Sequence, residues 1–193
     1  MEDKKKLIYE CAKEIFENKG FKDTNISEIT QKAGMAVGTF YKYYPSKEKL
    51  FMDIFLDENA KLKRKCLQSL DMEKSPIEII GQMIVLNTEG MKTNPILREW
   101  NNKMVFMKLE QLYREENGIQ AVDFLYDSFL ELVEQWQAQG KMRKDIDSKM
   151  IMMIFAAIVN VETHKEEIGI EYFPQLMMQM TELIMDSLMD CSK

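Results

Sequence analysis

TNISEITQKAGMAVGTFYKYYPSKEKL, residues 24 to 50, reads as two short helices joined by a tight turn, followed by the start of a third. Asn25 is placed to cap the first helix, and Glu28 stands where a capping box needs its acidic partner. Ile26, Ile29 and Ala33 mark one apolar face at helical spacing. Gly34 falls where that helix must stop, and glycine enters a left-handed turn without a Cβ clash. A second, shorter helix is expected from about Val37 to Tyr43, ending before Pro45. A rotation of about 100° per residue puts Phe40 and Tyr44 on its core side. Val37, Gly38, Tyr41 and Lys42 then point away, with Thr39 and Tyr43 at the flanks. A short helix, a glycine turn and a second helix with exposed aromatics is the plan of a helix-turn-helix DNA reader.

Working outward, residues 4 to 19 form an expected first helix, with Leu7, Ile8, Cys11, Ala12, Ile15 and Phe16 as its apolar stripe. That stripe is expected to pack on Ile29, Ala33 and Phe40. Lys4, Lys5 and Lys6 precede it, either as a solvated end or as an arm that contacts phosphate. On the other side, Ser46 caps a long helix from Lys47 to about Leu70, buried through Leu50, Phe51, Ile54, Phe55, Leu62 and Leu67. Its basic run from Lys61 to Lys65 reads as a solvated face. Lys47 lies in the first turn, where backbone N–H groups and the helix dipole already attract phosphate.

Whole-chain composition bounds what this module can belong to. The 193 residues carry few glycines and prolines (8 and 4) and 17 methionines, a balance that favours helix over sheet. The net charge of −6 does not by itself suggest a nucleic-acid binder. Residues 1 to 65, however, hold 14 Lys and Arg against 11 Asp and Glu, whereas residues 66 to 193 hold 12 against 21. A basic N-terminal part on an acidic body fits a DNA-facing module attached to something else. Three well-separated cysteines (Cys11, Cys66 and Cys191) show no metal-ligand spacing and suggest reduced thiols. The longest apolar run, Met150 to Val159, is shorter than the roughly 20 residues that cross a bilayer. A soluble cytoplasmic protein is expected, with no membrane segment, cofactor or metal. One histidine and no nucleophile or phosphate-loop motif leave catalysis without a visible constellation, so no enzyme is expected.

Residues 5 to 50 resemble the N-terminal domain of the TetR family of bacterial transcriptional repressors. The resemblance rests on the first-helix stripe ending in Gly20-Phe21, the Ile29-to-Gly34 segment, GTFYKYY, and SKEKL opening the long helix. Departures are Thr30 where Ala is usual, Met35 where Val is usual, Ala36 in place of a Ser or Thr cap, and Tyr43 where His is common. The resemblance implies that Val37, Gly38 and Thr39 face base edges, and that Tyr41, Lys42, Tyr43 and Lys47 hold phosphates or nearby bases. Asn25 and Ser27 would support backbone contacts. With no Arg or Gln for a bidentate base contact, modest direct readout is expected, phosphates supplying most of the affinity.

Beyond Leu70 the helical pattern continues. Ser75-Pro76 and Asn94-Pro95 each look like a cap followed by a proline that opens a helix, to about Lys92 and Lys103. Residues 104 to 116 are either a separate helix or a continuation, and Asn117-Gly118 breaks the pattern. Helices are expected over 119 to 139, 148 to 166 and 172 to 191, with GKMRKDID as a connector. The expected architecture is all-α, about nine or ten helices. A three-helix DNA-binding domain (1–48) precedes a larger ligand-binding and dimerisation domain (49–193).

The family resemblance implies an inducer pocket among the inner helices, and Met83, Asn87, Met91, Trp100, Met104, Met107, Tyr113, Phe124 and Trp136 are its candidates. Flexible methionines suit a small apolar effector. The last two helices point to a homodimer through Ile151, Phe155, Ile158, Phe173, Leu176, Met180, Leu183 and Ile184, reading a palindromic double-stranded DNA operator. Asn160 and His164 are the polar groups on that otherwise apolar surface. The expected function is a ligand-released repressor. The alternative keeps the DNA-binding dimer but makes its body a protein-interaction platform without a small-molecule ligand.

Overall fold

The computed structural model describes residues 2–115, 123–161, 168–169 and 171–191. Its elements are α1 (Glu2–Lys19), α2 (Ile26–Lys32), α3 (Val37–Phe40), α4 (Lys47–Gln68), α5 (Pro76–Thr93), a 3₁₀ helix (Leu97–Asn101), α6 (Lys103–Glu115), α7 (Asp123–Ala138), α8 (Ser148–Val161) and α9 (Phe173–Met189). Among the described residues there is no strand, as expected of an all-α chain. The Asn117-Gly118 break and the side chains of Asn160 and His164 lie outside the described residues. No described helix is long and apolar enough to cross a membrane.

Two compact units form, one of Met1–Leu70 with Met83–Val122, the other of Asp71–Gln82 with Asp123–Lys193. In the first unit α1, α2, α3 and α4 share one core of Ile8, Ala12, Phe16, Phe21, Ile29, Phe40, Leu50, Phe51 and Ile54. Phe16, Phe21 and Phe51 form its aromatic centre, with Phe51 edge-on to the other two at 4.9 and 5.0 Å between ring centroids. Such edge-to-face pairs add about 0.5–1.5 kcal/mol each beyond burial. The expected α1 stripe is buried at Ile8, Cys11, Ala12 and Phe16, but Leu7 is 45% exposed. Leu7 sits one residue off the Ile8–Ala12–Phe16 line, about 100° round the helix. Lys4, Lys5 and Lys6 lie within α1 rather than before it.

The Asn94-Pro95 segment departs from expectation. Asn94 Oδ1 does accept from the Ile96 and Leu97 N–H groups (2.9 and 3.1 Å), but it opens the short 3₁₀ helix instead of an α-helix. α6 then begins separately at Lys103, after Asn102 Oδ1 takes the Met104 N–H at 3.2 Å. In the second unit, the connector from Gly140 folds back on its own helices. Gln137 Nε2 donates to the Arg143 and Ile146 carbonyls at 2.8 Å, and the Arg143 N–H donates to Leu188 O at 2.9 Å.

Candidate nucleic-acid interface

α2 is defined at both ends by its sequence. Asn25, in extended backbone, accepts the Glu28 N–H at 2.9 Å. The Lys19 ammonium, 2.6 Å away, and the Asn25 N–H hold the Glu28 carboxyl below its usual range. At the other end Gly34 has φ +65°, its N–H reaches Gln31 O at 3.1 Å, and the Met35 N–H reaches Thr30 O at 2.8 Å. Those paired bonds are the Schellman motif, which turns the chain sharply into α3.

α3 is shorter than expected, stopping at Phe40 with Tyr41 to Tyr43 in a turn. Ala36 offers no side-chain cap, and Tyr44 precedes Pro45, whose ring disfavours helical backbone in the residue before it. The turn still holds its form, because the Tyr43 and Tyr44 N–H groups donate to Phe40 O at 2.9 and 3.0 Å. Phe40 and Tyr44 are buried and pack on each other, anchoring the turn from beneath. Burial pushes the Tyr44 hydroxyl up to about 12, with Asp53 and Asp57 adding to it.

The residues expected at DNA therefore separate into two groups. Ser27, Val37, Gly38, Tyr41 and Lys42 are exposed, Val37 by 41% and Tyr41 by 55%. Thr39 and Tyr43 are half-buried beside them. Lys47 is committed internally, whereas Asn25 is exposed but partly engaged. Asn25 Oδ1 is taken up by the cap. Lys47 Nζ donates to Phe21 O at 2.8 Å and Thr24 O at 2.7 Å, and sits 4.3 Å from the Phe21 ring centroid. Burial lowers its ammonium's proton affinity. Lys47 thus pins the start of α4 to the α1–α2 turn, leaving one of its three N–H donors for anything outside.

Sequence reasoning missed a second set of residues that grip this module from behind. Glu58, in the middle of α4, is a buried carboxylate. It accepts from Lys13 at 2.7 Å, Lys61 at 2.9 Å and Asn94 Nδ2 at 3.0 Å. Desolvation would raise its pKa, yet these three donors hold it down to about 2. Glu99, in the 3₁₀ helix, accepts the Phe21 N–H and would lie 2.6 Å from a Cβ at Gly20. Gly20 itself has φ +78° and ends α1. The backbone of Phe21 is therefore held at its carbonyl by Lys47 and at its N–H by Glu99. One signal was available: Glu58 falls on the helical line through Ile54 and Leu62, where a charge must be paired.

The pocket candidates fall in both units. Met83, Asn87, Met91, Trp100, Met104, Met107 and Tyr113 belong to the first unit, Phe124 and Trp136 to the second. Trp100 is buried in an aromatic cluster with Phe55, Phe106 and Tyr113 at 4.9–5.1 Å. Met104 and Met107 are exposed, and Asn87 Oδ1 accepts from Lys63. Among the described residues no group of three or more His, Cys, Asp or Glu is arranged to hold a metal.

A four-helix core that displays a short, exposed helix after a glycine turn defines the helix-turn-helix class. Residues 8–54 match the family model of bacterial regulatory proteins, tetR family. The HTH-type transcriptional regulator YdgC of Bacillus subtilis is 34% identical over 97 residues, spanning 50% of this chain and 44% of that one. YhgD of the same organism is 33% identical over 94 residues, 49% of each. The HTH-type transcriptional repressor KstR of Mycobacterium tuberculosis is 26% identical over 50% of this chain and 44% of its own. The matches thus span at most about half the length of these relatives. Among solved structures, Thermus thermophilus FadR, a TetR family transcriptional repressor in complex with lauroyl-CoA, superposes with a TM-score of 0.62. That alignment is 21% identical and covers 93% of this chain and 92% of that one. FadR from Bacillus subtilis in complex with stearoyl-CoA gives 0.56 at 18% identity, over 93% and 97%. Residues 8–54 thus match the TetR-family model, and the likeness of fold to these solved structures extends well beyond that segment.

Proposed function

We propose that this protein is a cytoplasmic transcriptional regulator that binds a palindromic DNA operator as a homodimer and is released from it by a small apolar effector. Residues 1–48 would bind DNA, and 49–193 would bind the effector and form the dimer. The observation that carries this reading is the exposed set Val37, Gly38, Tyr41 and Lys42, displayed by a helix whose other side is locked by Phe40 and Tyr44. No fold requirement explains a valine, a tyrosine and a lysine left in water on a four-residue helix and the turn that follows it. A major groove supplies base edges and phosphates for all three.

Two copies would offer their α3 helices to successive major grooves, about 34–36 Å apart. The coupling to an effector has a route through the first unit. The segment from Asn94 to Glu99 touches α4 at Glu58 and the α1–α2 turn at Phe21, so a ligand that moves this segment moves the reading module. The effector acts only through its differential affinity for the two arrangements, and about 3 kcal/mol would give roughly 150-fold release. Long-chain acyl-CoA thioesters, the ligands named for the FadR structures, are the first probes to try.

The test is selection of duplexes from a random pool by the full chain, followed by binding measurements at several salt concentrations. A two-fold symmetric motif is expected. Lys42→Ala should weaken every duplex alike and reduce the salt slope by about one. Failure to enrich any sequence would remove the regulator reading. Enrichment with no release by acyl-CoA thioesters or by apolar compounds would favour a body that serves as a protein-interaction platform.

A further inference from the structure

The face that α3 displays is poor in hydrogen-bond donors. Residues 36–42 are Ala, Val, Gly, Thr, Phe, Tyr and Lys, with no Arg, Asn or Gln, so that Lys42 alone could reach both guanine acceptors and none could identify adenine by a two-pronged contact. Ala36, Val37 and Gly38 are exposed and lie together, so the leading edge of the helix consists of methyl groups and bare backbone.

Gly38 sharpens the point. Gly34 needs its glycine, having φ +65°. Gly38 does not: its φ is not in the left-handed region, and a Cβ there would meet nothing within 4 Å. An alanine would favour the helix by about 1 kcal/mol and would fit. Gly38 is thus a glycine that neither its backbone nor its neighbours require, exposed between Val37 and Thr39 on the displayed face.

We propose that α3 reads DNA by the C5-methyl groups of thymine. Val37, with the methyls of Ala36 and Thr39, packs on thymine methyls in the major groove. Gly38 supplies the clearance that brings the backbone within van der Waals reach of the base edges. This rests on the DNA-binding reading above and names the base feature that the site selects. Thymine is the one base that presents a methyl group in the major groove. The contact needs only apolar surface, which is what the helix offers. Lys42 and the Tyr41 hydroxyl remain for phosphates, setting position rather than sequence.

The experiment takes the duplex enriched from a random pool and measures the full chain against four versions of it. These are the duplex itself, one with deoxyuridine for thymidine, one with 7-deazapurines, and a scrambled control. Deoxyuridine removes only the methyl, and 7-deazapurines remove the major-groove N7 acceptor. Each contacted thymine that loses its methyl should weaken binding about fourfold, the worth of one buried methyl group. The deazapurines should leave affinity within about twofold, and the scrambled duplex should be indifferent to deoxyuridine. Val37→Ala should weaken the enriched duplex and abolish the sensitivity at one thymine. Gly38→Ala should hold or raise Tm while weakening the enriched duplex more than the scrambled one. Equal affinity for the thymidine and deoxyuridine duplexes, or a larger loss with 7-deazapurines, overturns methyl reading while leaving DNA binding intact. Enrichment of no duplex removes the underlying reading itself.

Discussion

Lys47 and Glu58 show how much a single charged side chain can do when its partners are inside the protein. The Lys47 ammonium satisfies two carbonyls of the α1–α2 turn that no helix bond reaches. Lys47→Met keeps the aliphatic stem over the Phe21 ring but orphans both carbonyls. It should cost about 2 kcal/mol, or roughly 4–8 °C in Tm by calorimetry. A loss of DNA affinity in that variant would therefore not identify a phosphate contact, whereas Lys42→Ala tests one cleanly.

Glu58 makes a different prediction, in pH. Its carboxyl is held at about 2 in the fold, against an ordinary value of 4.5. A depressed carboxyl contributes its full stability above the unfolded value and loses it as pH falls from about 4.5 towards 2. The Lys13 ammonium, raised chiefly by its hydrogen bond to Glu58, is stabilising until pH climbs through its own elevated value. Glu58→Gln should thus cost about 3 kcal/mol at neutral pH. In urea titrations that difference should shrink as pH falls through this window and close near pH 2. A constant difference across that range would show that the charge is not what Glu58 contributes.

At the scale of the element, α5 carries two glycines with opposite demands. A Cβ at Gly90 would overlap Cδ1 of Leu62 on α4, and even Cγ would stand only 3.0 Å away. At Gly81 a Cβ would meet nothing within 4 Å, and the residue is exposed. Gly90→Ala should therefore destabilise by about 1–3 kcal/mol through overpacking. Gly81→Ala should stabilise by about 0.5–1 kcal/mol, since alanine loses less entropy in a helix. Thermal unfolding of the two variants gives the sign directly. The same contrast separates Gly34, needed for its backbone angle, from Gly38, needed by neither backbone nor neighbours.

For the whole molecule, the question is what covers the apolar surface that α8 and α9 leave in water. Of the residues expected at a dimer interface, Ile151, Ile158 and Phe173 are buried within the chain. Phe155, Leu176, Met180 and Ile184 are half-buried, and Leu183 is 68% exposed. Met150, Met153 and Met178 are also exposed, with Met153 at 61%. A second copy is the proposed cover, and these exposed residues are its contact set. Sedimentation equilibrium at micromolar concentration should find a dimer. Met153→Glu and Leu183→Glu should shift it to monomer and, with it, weaken binding to a palindromic duplex more than to a half-site. A wild-type monomer would remove the dimer.

The fold class and the reading module were legible in the chain because both rest on local rules. Helical periodicity, the Asn25 and Ser46 caps, the Gly20 and Gly34 stops and the Phe40–Tyr44 side of α3 all depend on neighbours within a turn or two. What the tertiary structure alone decided is where long side chains find their partners. Lys47 looked like a phosphate ligand from its place at a helix start, but its ammonium reaches back to Phe21 and Thr24, more than twenty residues away. Glu58 and Glu99 were unremarked, and Asn94 was read only as a cap, for the same reason: their other contacts reach across dozens of residues. Periodicity says which face of a helix is buried. It does not say what waits on the other side, and for a charge that partner decides whether it serves the fold or the ligand.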